Sequence, residues 1–500
     1  MLVWRDQGES DVFSSRYMST PQTSYIIRAG QGKRSLDAIV GRFGETAGEG
    51  SPAGRGGGPA HASALEQSGA VRYSRPMKLL RRVANRSLGL LLLWGWGPLP
   101  GYGCAGETNP GGTAADGFPP PAIVDSPSAD TPASDTGSGG DGLSGRLTTL
   151  RVHYPLPAGK NLSARGSLAP LNWSSGATMT RKSADVFELT IRDLRVPSGG
   201  RLEWKPLVDD ATWSRGQNYA VQPGQTVDIY PHFYNGAGRY LRHYTAFAST
   251  VLGNRRGVWL YLPPSFDENP GARYPVLYMH DGQNLFDPRY AFLGRTWRVA
   301  ETLNAGIDAL DPGSHLPEMV VVGPENTSDR IYEYTPTPGD DPRYPGGGGD
   351  KYLRFLVEEL KPAIEADALL RGRLITDREH TALAGSSLGG LITAYAGITQ
   401  RPVFGRLGIF SPSTWWDGRY LLGAVGTAAP GSPRWAAVYV DSGKPDDGYD
   451  DTFALAQKYR DGGYRDGIDL LYVAEPGGMH NEDAWARRLP AALRFLCAGW

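Results

Sequence analysis

Cysteine is almost missing from this chain: there are two in 500 residues, Cys104 and Cys497. A disulfide framework is therefore not expected. Net charge is also nearly absent, with 51 basic against 52 acidic residues spread along the chain without blocks. Nothing in that balance favours a nucleic-acid or anionic-membrane partner. Long apolar runs are lacking too. The most apolar stretch, Leu88-Gly-Leu-Leu-Leu-Leu-Trp-Gly-Trp96, is too short to span a bilayer. Of eight histidines, His480 alone follows residue 380, so a zinc site in the C-terminal third is not expected. What the chain has in plenty is glycine (67), tyrosine (25) and tryptophan (13), over a length that allows two to three domains.

The first third reads as export and tether. Met77-Lys-Leu-Leu-Arg-Arg-Val-Ala-Asn-Arg86, the apolar run and then Pro100-Gly-Tyr-Gly-Cys104 make a basic, an apolar and a cleavage region. Residues 77–104 are thus expected to be a secretory signal. Cys104 at the cut resembles the bacterial lipoprotein pattern, although Gly101 stands where leucine is usual. Ordinary cleavage and release of a soluble protein is the alternative. Any membrane contact would run through a lipid on Cys104, and the expected location is the cell surface, periplasm or exterior. Residues 1–76, rich in Gly, Ser and Arg, lie upstream of a segment that works only at an N-terminus. They are expected to be untranslated or disordered, and precursor beginning before Met77 would refute the first of these. Residues 105–146 are a Pro/Gly/Ser/Thr/Asp linker that buries no core.

Residues 147–247 read as a small β-sandwich. Period-two alternation marks strands at 147–154, 186–192, 202–208 and 226–230, with Gly/Pro/Asn turns between them.

Chemistry concentrates in residues 248–500. Thr381-Ala-Leu-Ala384 reads as a buried strand and Leu388 onward as a helix, joined by Gly385-Ser-Ser387-Leu-Gly389. A strand feeding a helix through such a turn presents Ser387 at the helix N-terminus, where developing negative charge is favoured. The Leu388 N–H can donate to an oxyanion. His480 follows the strand-like Asp469–Ala474 and precedes a C-terminal helix, the place for a general base. After the strand 435–440, both Asp446 and Asp447 can supply the acid that orients it, with Asp446 favoured. Asp450 and Asp451 are expected at the start of the next helix. The strand 274–280 leads into Asp281-Gly282-Gln283, where Gly282 lets the backbone approach and Gln283 N–H is the second oxyanion donor. His280 precedes the serine and is expected to pack within that loop. No metal or organic cofactor is implied.

These motifs sit with Tyr278-Met-His-Asp-Gly-Gln-Asn-Leu-Phe-Asp287, Val320 to Pro336 (VVVGPENTSDRIYEYTP), Tyr352 to Pro362 and Ser442-Gly-Lys-Pro-Asp446. Together they resemble the esterase D-like branch of the α/β hydrolases over about residues 250–498. That branch includes feruloyl and acetylxylan esterases, siderophore esterases and mycolyltransferases. The resemblance implies an α/β-hydrolase fold, oxyanion donors at Gln283 and Leu388, and an acid at 446 or 447. It also implies that Arg330 and Tyr334 lie near the substrate; Trp415 and Trp416 are candidates for an aromatic wall, with burial in the core expected for at least one of the pair. The β-sandwich, immunoglobulin-like in pattern, is similar to family-20 starch-binding modules at Trp173, Trp204, Lys205, Trp213 and Asn218. Comparable domains use the same residues only to hold their fold.

The expected activity is carboxylic-ester hydrolysis by a secreted serine enzyme. Its partner is a small-molecule or glycan ester, an acylated carbohydrate first and a siderophore ester second. Acyl transfer and a catalytically dead, glycan-binding surface lipoprotein are the other readings.

Overall fold

The computed structural model describes residues 18–20, 23–25 and 145–500. The expected signal segment, Cys104, the linker and nearly all of residues 1–76 lie outside them. Met18–Thr20 (β1) and Thr23–Tyr25 (β2) pair as an antiparallel hairpin in a unit of their own. Among the described residues, no helix is long and apolar enough to cross a membrane.

From residue 147 the alternating apolar pattern folds as two sheets. One has the order β11-β3-β7-β6: Thr226–Ile229, Leu147–His153, Val186–Arg192 and Thr180–Arg181. The other runs β10-β8-β4-β5, Tyr219–Val221, Leu202–Val208, Leu162–Gly166 and Ala177–Thr178, with β9 (Thr212–Trp213) also on β8. Inward residues of both sheets, such as Leu150 and Val152 against Leu162, Leu202 and Trp204, share one core. The β region ends earlier than residue 247. Arg239–Ala248 (β12) pairs antiparallel with Arg255–Leu262 (β13) and is the edge of the large sheet. Its burial alternates poorly, as suits an edge strand with a partner on one side only.

The large sheet has the order β12-β13-β15-β14-β16-β17-β18-β19. Val276–Met279 (β14), Val320–Pro324 (β15), Thr381–Ser386 (β16), Arg406–Phe410 (β17), Ala437–Lys444 (β18) and Leu470–Pro476 (β19) run parallel, while β12 and β13 close one side antiparallel. Strands covered on both faces need apolar residues at every position; β14 and β16 are buried throughout. One face carries helices α2 (Leu388–Thr399), α3 (Trp416–Ala428) and α4 (Tyr449–Asp461) over one core. The other carries α1 (Val299–Ile307) and α5 (Glu482–Leu496) over a second. This is the mixed-sheet α/β-hydrolase-like arrangement.

Strand order decides where a site can form. The chain leaves β14 for β15 on one side and then crosses to β16 on the other. Loops from β14 and β16 therefore diverge and leave a crevice at the sheet's carboxyl edge, the usual ligand position in such sheets.

Candidate active site

The β16–α2 junction is an elbow. Ser387 has φ 59° and ψ −120°, a region a serine occupies only under strain. Its N–H donates to Phe410 O and its carbonyl accepts from Leu391 N and Ser413 N, each at 3.0 Å. Those bonds hold the strained residue in place. A Cβ on Gly385 would lie 2.7 Å from His280 Cδ2 and 2.9 Å from the backbone carbon of Gly389, so only glycine admits this turn. The Leu388 amide opens α2, where no intrahelical acceptor exists. It is free to meet an anion. The Ser387 hydroxyl rests 3.3 Å from that of buried Ser413.

The second face of the crevice is the loop after β14. Asp281 takes φ 57°, and Gly282–Asn284 form one turn of 3₁₀ helix. Gln283 N–H lies in that first turn, before the first internal bond (Asn284 N to Asp281 O, 2.8 Å). Gly282 has a reason other than substrate approach. A Cβ there would sit 2.0 Å from Gly323 O, so glycine lets the loop lie flat on β15.

Arg330 is a correction. It was expected at the substrate, but its guanidinium forks onto Asp281, Nε to Oδ1 at 2.8 Å and Nη2 to Oδ2 at 2.7 Å. Asn326 adds a third bond to Asp281 Oδ1 at 2.6 Å. Burial pushes the Asp281 carboxyl up, and Arg330 and Asn326 outweigh it, leaving its pKa below the usual value. Arg330 thus braces the loop at Asp281–Asn284, and it also covers the ring of buried Tyr334 at 5.0 Å. His280 packs as expected. It is buried against Tyr334 and Tyr352, with Nδ1 2.9 Å from Tyr352 Oη. Burial drives its pKa down to about 3, so it stays neutral.

The carboxylate that meets His480 is Asp447, where Asp446 was favoured. His480 Nδ1 lies 2.5 Å from Asp447 Oδ1, while Asp446 points to solvent. The turn after β18 aims alternate side chains apart, and only Asp447 faces inward to donors. Its Oδ2 accepts from Ser411 Oγ at 2.6 Å and Gly443 N at 2.7 Å. Burial again works against ionisation. The bonds from His480, Ser411 and Gly443 prevail and keep the carboxyl below its usual range. His480 sits just before Asn481, whose side chain caps α5 at Ala484 N (3.0 Å). That cap stops the helix one residue short and leaves the imidazole in the loop. The ring meets Trp485 edge-on at 5.2 Å.

Trp415 and Trp416 divide. Trp416 is buried with Nε1 on Thr337 O at 3.2 Å, and Trp415 is 53% exposed two residues beyond Ser413. In the β region, Trp204 and Lys205 are buried, which removes them from any sugar surface. Trp173 and Trp213 are exposed with ring centroids 6.2 Å apart, and Asn218 is tied to Glu203.

Ser411, Ser413, Asn326 and Arg488 carry no local sequence signal as neighbours of the site. Arg488 reads as one more helix cation, and only a three-dimensional neighbour reveals its partners. Among the described residues, no three His, Cys, Asp or Glu side chains gather to hold a metal ion. Cys497 is buried and unpaired with another cysteine.

Residues 249–496 match the model of the family described as "Putative esterase". The chain is 27% identical over 256 residues to the uncharacterized protein YbbA of Bacillus subtilis, covering 49% of this chain and 93% of that one. It is 27% identical over 157 residues to the ferri-bacillibactin esterase BesA of the same organism, covering 31% and 52% respectively. To an endo-1,4-beta-xylanase/feruloyl esterase of Xylanibacter ruminicola it is 24% identical over 176 residues, covering 34% and 21%. Through residues 249–496 the chain belongs to this esterase family, and the protein is a carboxylic ester hydrolase.

Proposed function

We propose that hydrolysis runs through an acyl-enzyme on Ser387, with His480 as general base and Asp447 as the acid that orients it. The observation that carries this reading is the pairing of a strained serine at a helix N-terminus with a buried carboxylate that meets an imidazole two strands away. Ser387 Oγ attacks the ester carbonyl and its proton passes to His480 Nε2. Leu388 and Gln283 N–H groups hold the oxyanion. Collapse breaks the bond to the alcohol, which leaves with the proton from His480. Water, deprotonated by His480, then attacks the acyl-enzyme and frees the acid and the serine. The resting hydrogen bond of Ser387 to Ser413 gives way to His480 in the complex, as catalytic bonds tighten on binding.

For substrate, the leading reading is an acylated carbohydrate. Arg330 is consumed by Asp281, so it is not free to neutralise an anionic ligand. Exposed Trp415 at the site and the Trp173–Trp213 pair on the β region offer faces on which sugars stack. A siderophore ester is the second reading, favoured by the likeness to BesA. Export, with or without a lipid on Cys104, belongs to the same proposal; fatty-acid labelling lost in Cys104→Ala would support the anchor.

The test is turnover of p-nitrophenyl acetate and butyrate by the full chain. Ser387→Ala should lower kcat/KM by about 10⁴-fold or more. A variant as active as the parent would refute the acyl-enzyme. Acetyl and feruloyl sugars against catecholate trilactones then separate the two substrate readings.

A further inference from the structure

Behind the Asp447–His480 pair lies a buried charged cluster that the reaction steps do not use. Arg488, on α5, donates Nε to Asp441 Oδ2, Nη1 to Glu475 Oε2 and Nη2 to Ser411 Oγ, each at 2.8 Å. The same Nη2 stands 3.6 Å from Asp447 Oδ2. Asp441 is fully buried within β18. It also accepts from Tyr439 Oη at 2.7 Å and from Ser411 N at 3.1 Å. One buried cation thus touches the rear of the acid, while its closest bonds go to two other carboxylates and to Ser411.

The charges decide what this arrangement does. An unbalanced cation at 3.6 Å would draw the Asp447 charge away from His480 and disfavour the imidazolium. Asp441 cancels it in place. Other ionisable groups face the cluster from every side. Glu475 and Tyr472 come from β19, Arg487 pairs with Glu475 at 3.0 Å, and His480 lies on the far oxygen of Asp447. Glu482, in the first turn of α5, has its carboxyl pushed up by burial and accepts from Asn284. Of these only Glu475 reaches Arg488, at the same 2.8 Å as Asp441, but it is partly exposed and shared with Arg487, whereas Asp441 is fully buried. Burial raises the Asp441 carboxyl to about 6, against the pull of Arg488, so this counter-ion weakens as pH falls below neutral.

We propose that Asp441 is a positioning counter-ion for the reaction: by holding Arg488 and cancelling its charge, it leaves Asp447 free to orient His480 and stabilise its cation. This rests on Ser387, His480 and Asp447 acting as described above. The Asp441–Arg488 pair acts through Asp447 and touches no substrate.

The experiment is the pH dependence of kcat/KM for p-nitrophenyl butyrate in the full chain and its variants. Asp441→Asn keeps the shape but leaves Arg488 only the partly exposed Glu475 as counter-ion. Its acidic limb should move down by about one pH unit, with kcat falling more than KM changes. Adding Arg488→Met removes the cation, and the limb of the double variant should return to within about 0.3 unit of the parent. A purely structural role predicts no shift in the single variant and a double variant further from the parent; either result overturns the proposal. Should Asp441→Asn not fold, Glu475→Gln takes its place. Glu475 is partly exposed and bonds the same guanidinium, so the limb should move the same way by about half as much. An unmoved limb there also overturns the proposal. A parent enzyme with no turnover, or a Ser387→Ala variant with full turnover, would remove the mechanism underneath and is recognised separately.

Discussion

On the nucleophile side of the crevice, position is a backbone property. Ser387 is held by its own φ and ψ, by main-chain bonds to Phe410 and Ser413, and by a glycine where no Cβ fits. On the acid side, position is a side-chain property. Asp447 is held by Ser411, Gly443 N and His480, and behind Ser411 stand Trp485, Arg488 and Asp441. The difference teaches where each half is vulnerable. A backbone device fails by steric change and takes the fold with it. A polar network fails by losing one partner, which leaves the others buried and unsatisfied.

The largest effect is expected on the acid side. Asp447→Asn should lower kcat/KM by about 10³-fold or more, because the imidazole loses the partner that fixes its tautomer. Asp446→Asn, on an exposed side chain, should stay within about twofold. Ester kinetics on the two variants check this, and equal losses would return the acid role to Asp446.

At the elbow, Gly385→Ala tests the backbone claim. The added methyl meets His280 and the backbone of Gly389, so thermal stability should fall by about 2–3 kcal/mol together with activity. A stable variant with normal turnover would show that the turn has room.

Behind the elbow, His280 gives the smallest and most specific effect. Its folded pKa of about 3 lies below the ordinary histidine value near 6.5. Above that ordinary value it costs nothing, and below it the unfolded chain takes up a proton that the folded chain refuses. The contribution is present at pH 7 and is lost as pH falls toward 3, reaching about 2 kcal/mol at pH 5. His280→Gln should flatten the decline between pH 7 and pH 5 in thermal melts. An unchanged slope would place the acid sensitivity elsewhere.

The same contrast explains what was legible in the sequence. The elbow is written in consecutive residues, because strand, turn and helix are local, and so Ser387 and Leu388 could be named directly. The loop at Asp281–Gln283 is nearly as local. His480 was readable from its place after a strand and before the Asn481 cap. The choice between Asp446 and Asp447 was not, since it depends on which way one turn residue points. That direction is set by Ser411 and Gly443, 36 and four residues away in the chain. Arg330 misled for the same reason: its partner Asp281 is 49 residues distant. In the β region, alternation marked the longer strands. It did not mark short strands such as Ala177–Thr178 or the assignment of Arg239–Ala248 to the large sheet, which pairing alone decides.

Reaction of the full chain with a fluorophosphonate, followed by mapping of the adduct by peptide mass, tests whether Ser387 is the nucleophile. One adduct is expected, on Ser387, forming in step with loss of esterase activity and far more slowly in Asp447→Asn. An adduct on Ser386 or Ser413, or undiminished hydrolysis by fully labelled protein, would contradict Ser387 as the nucleophile.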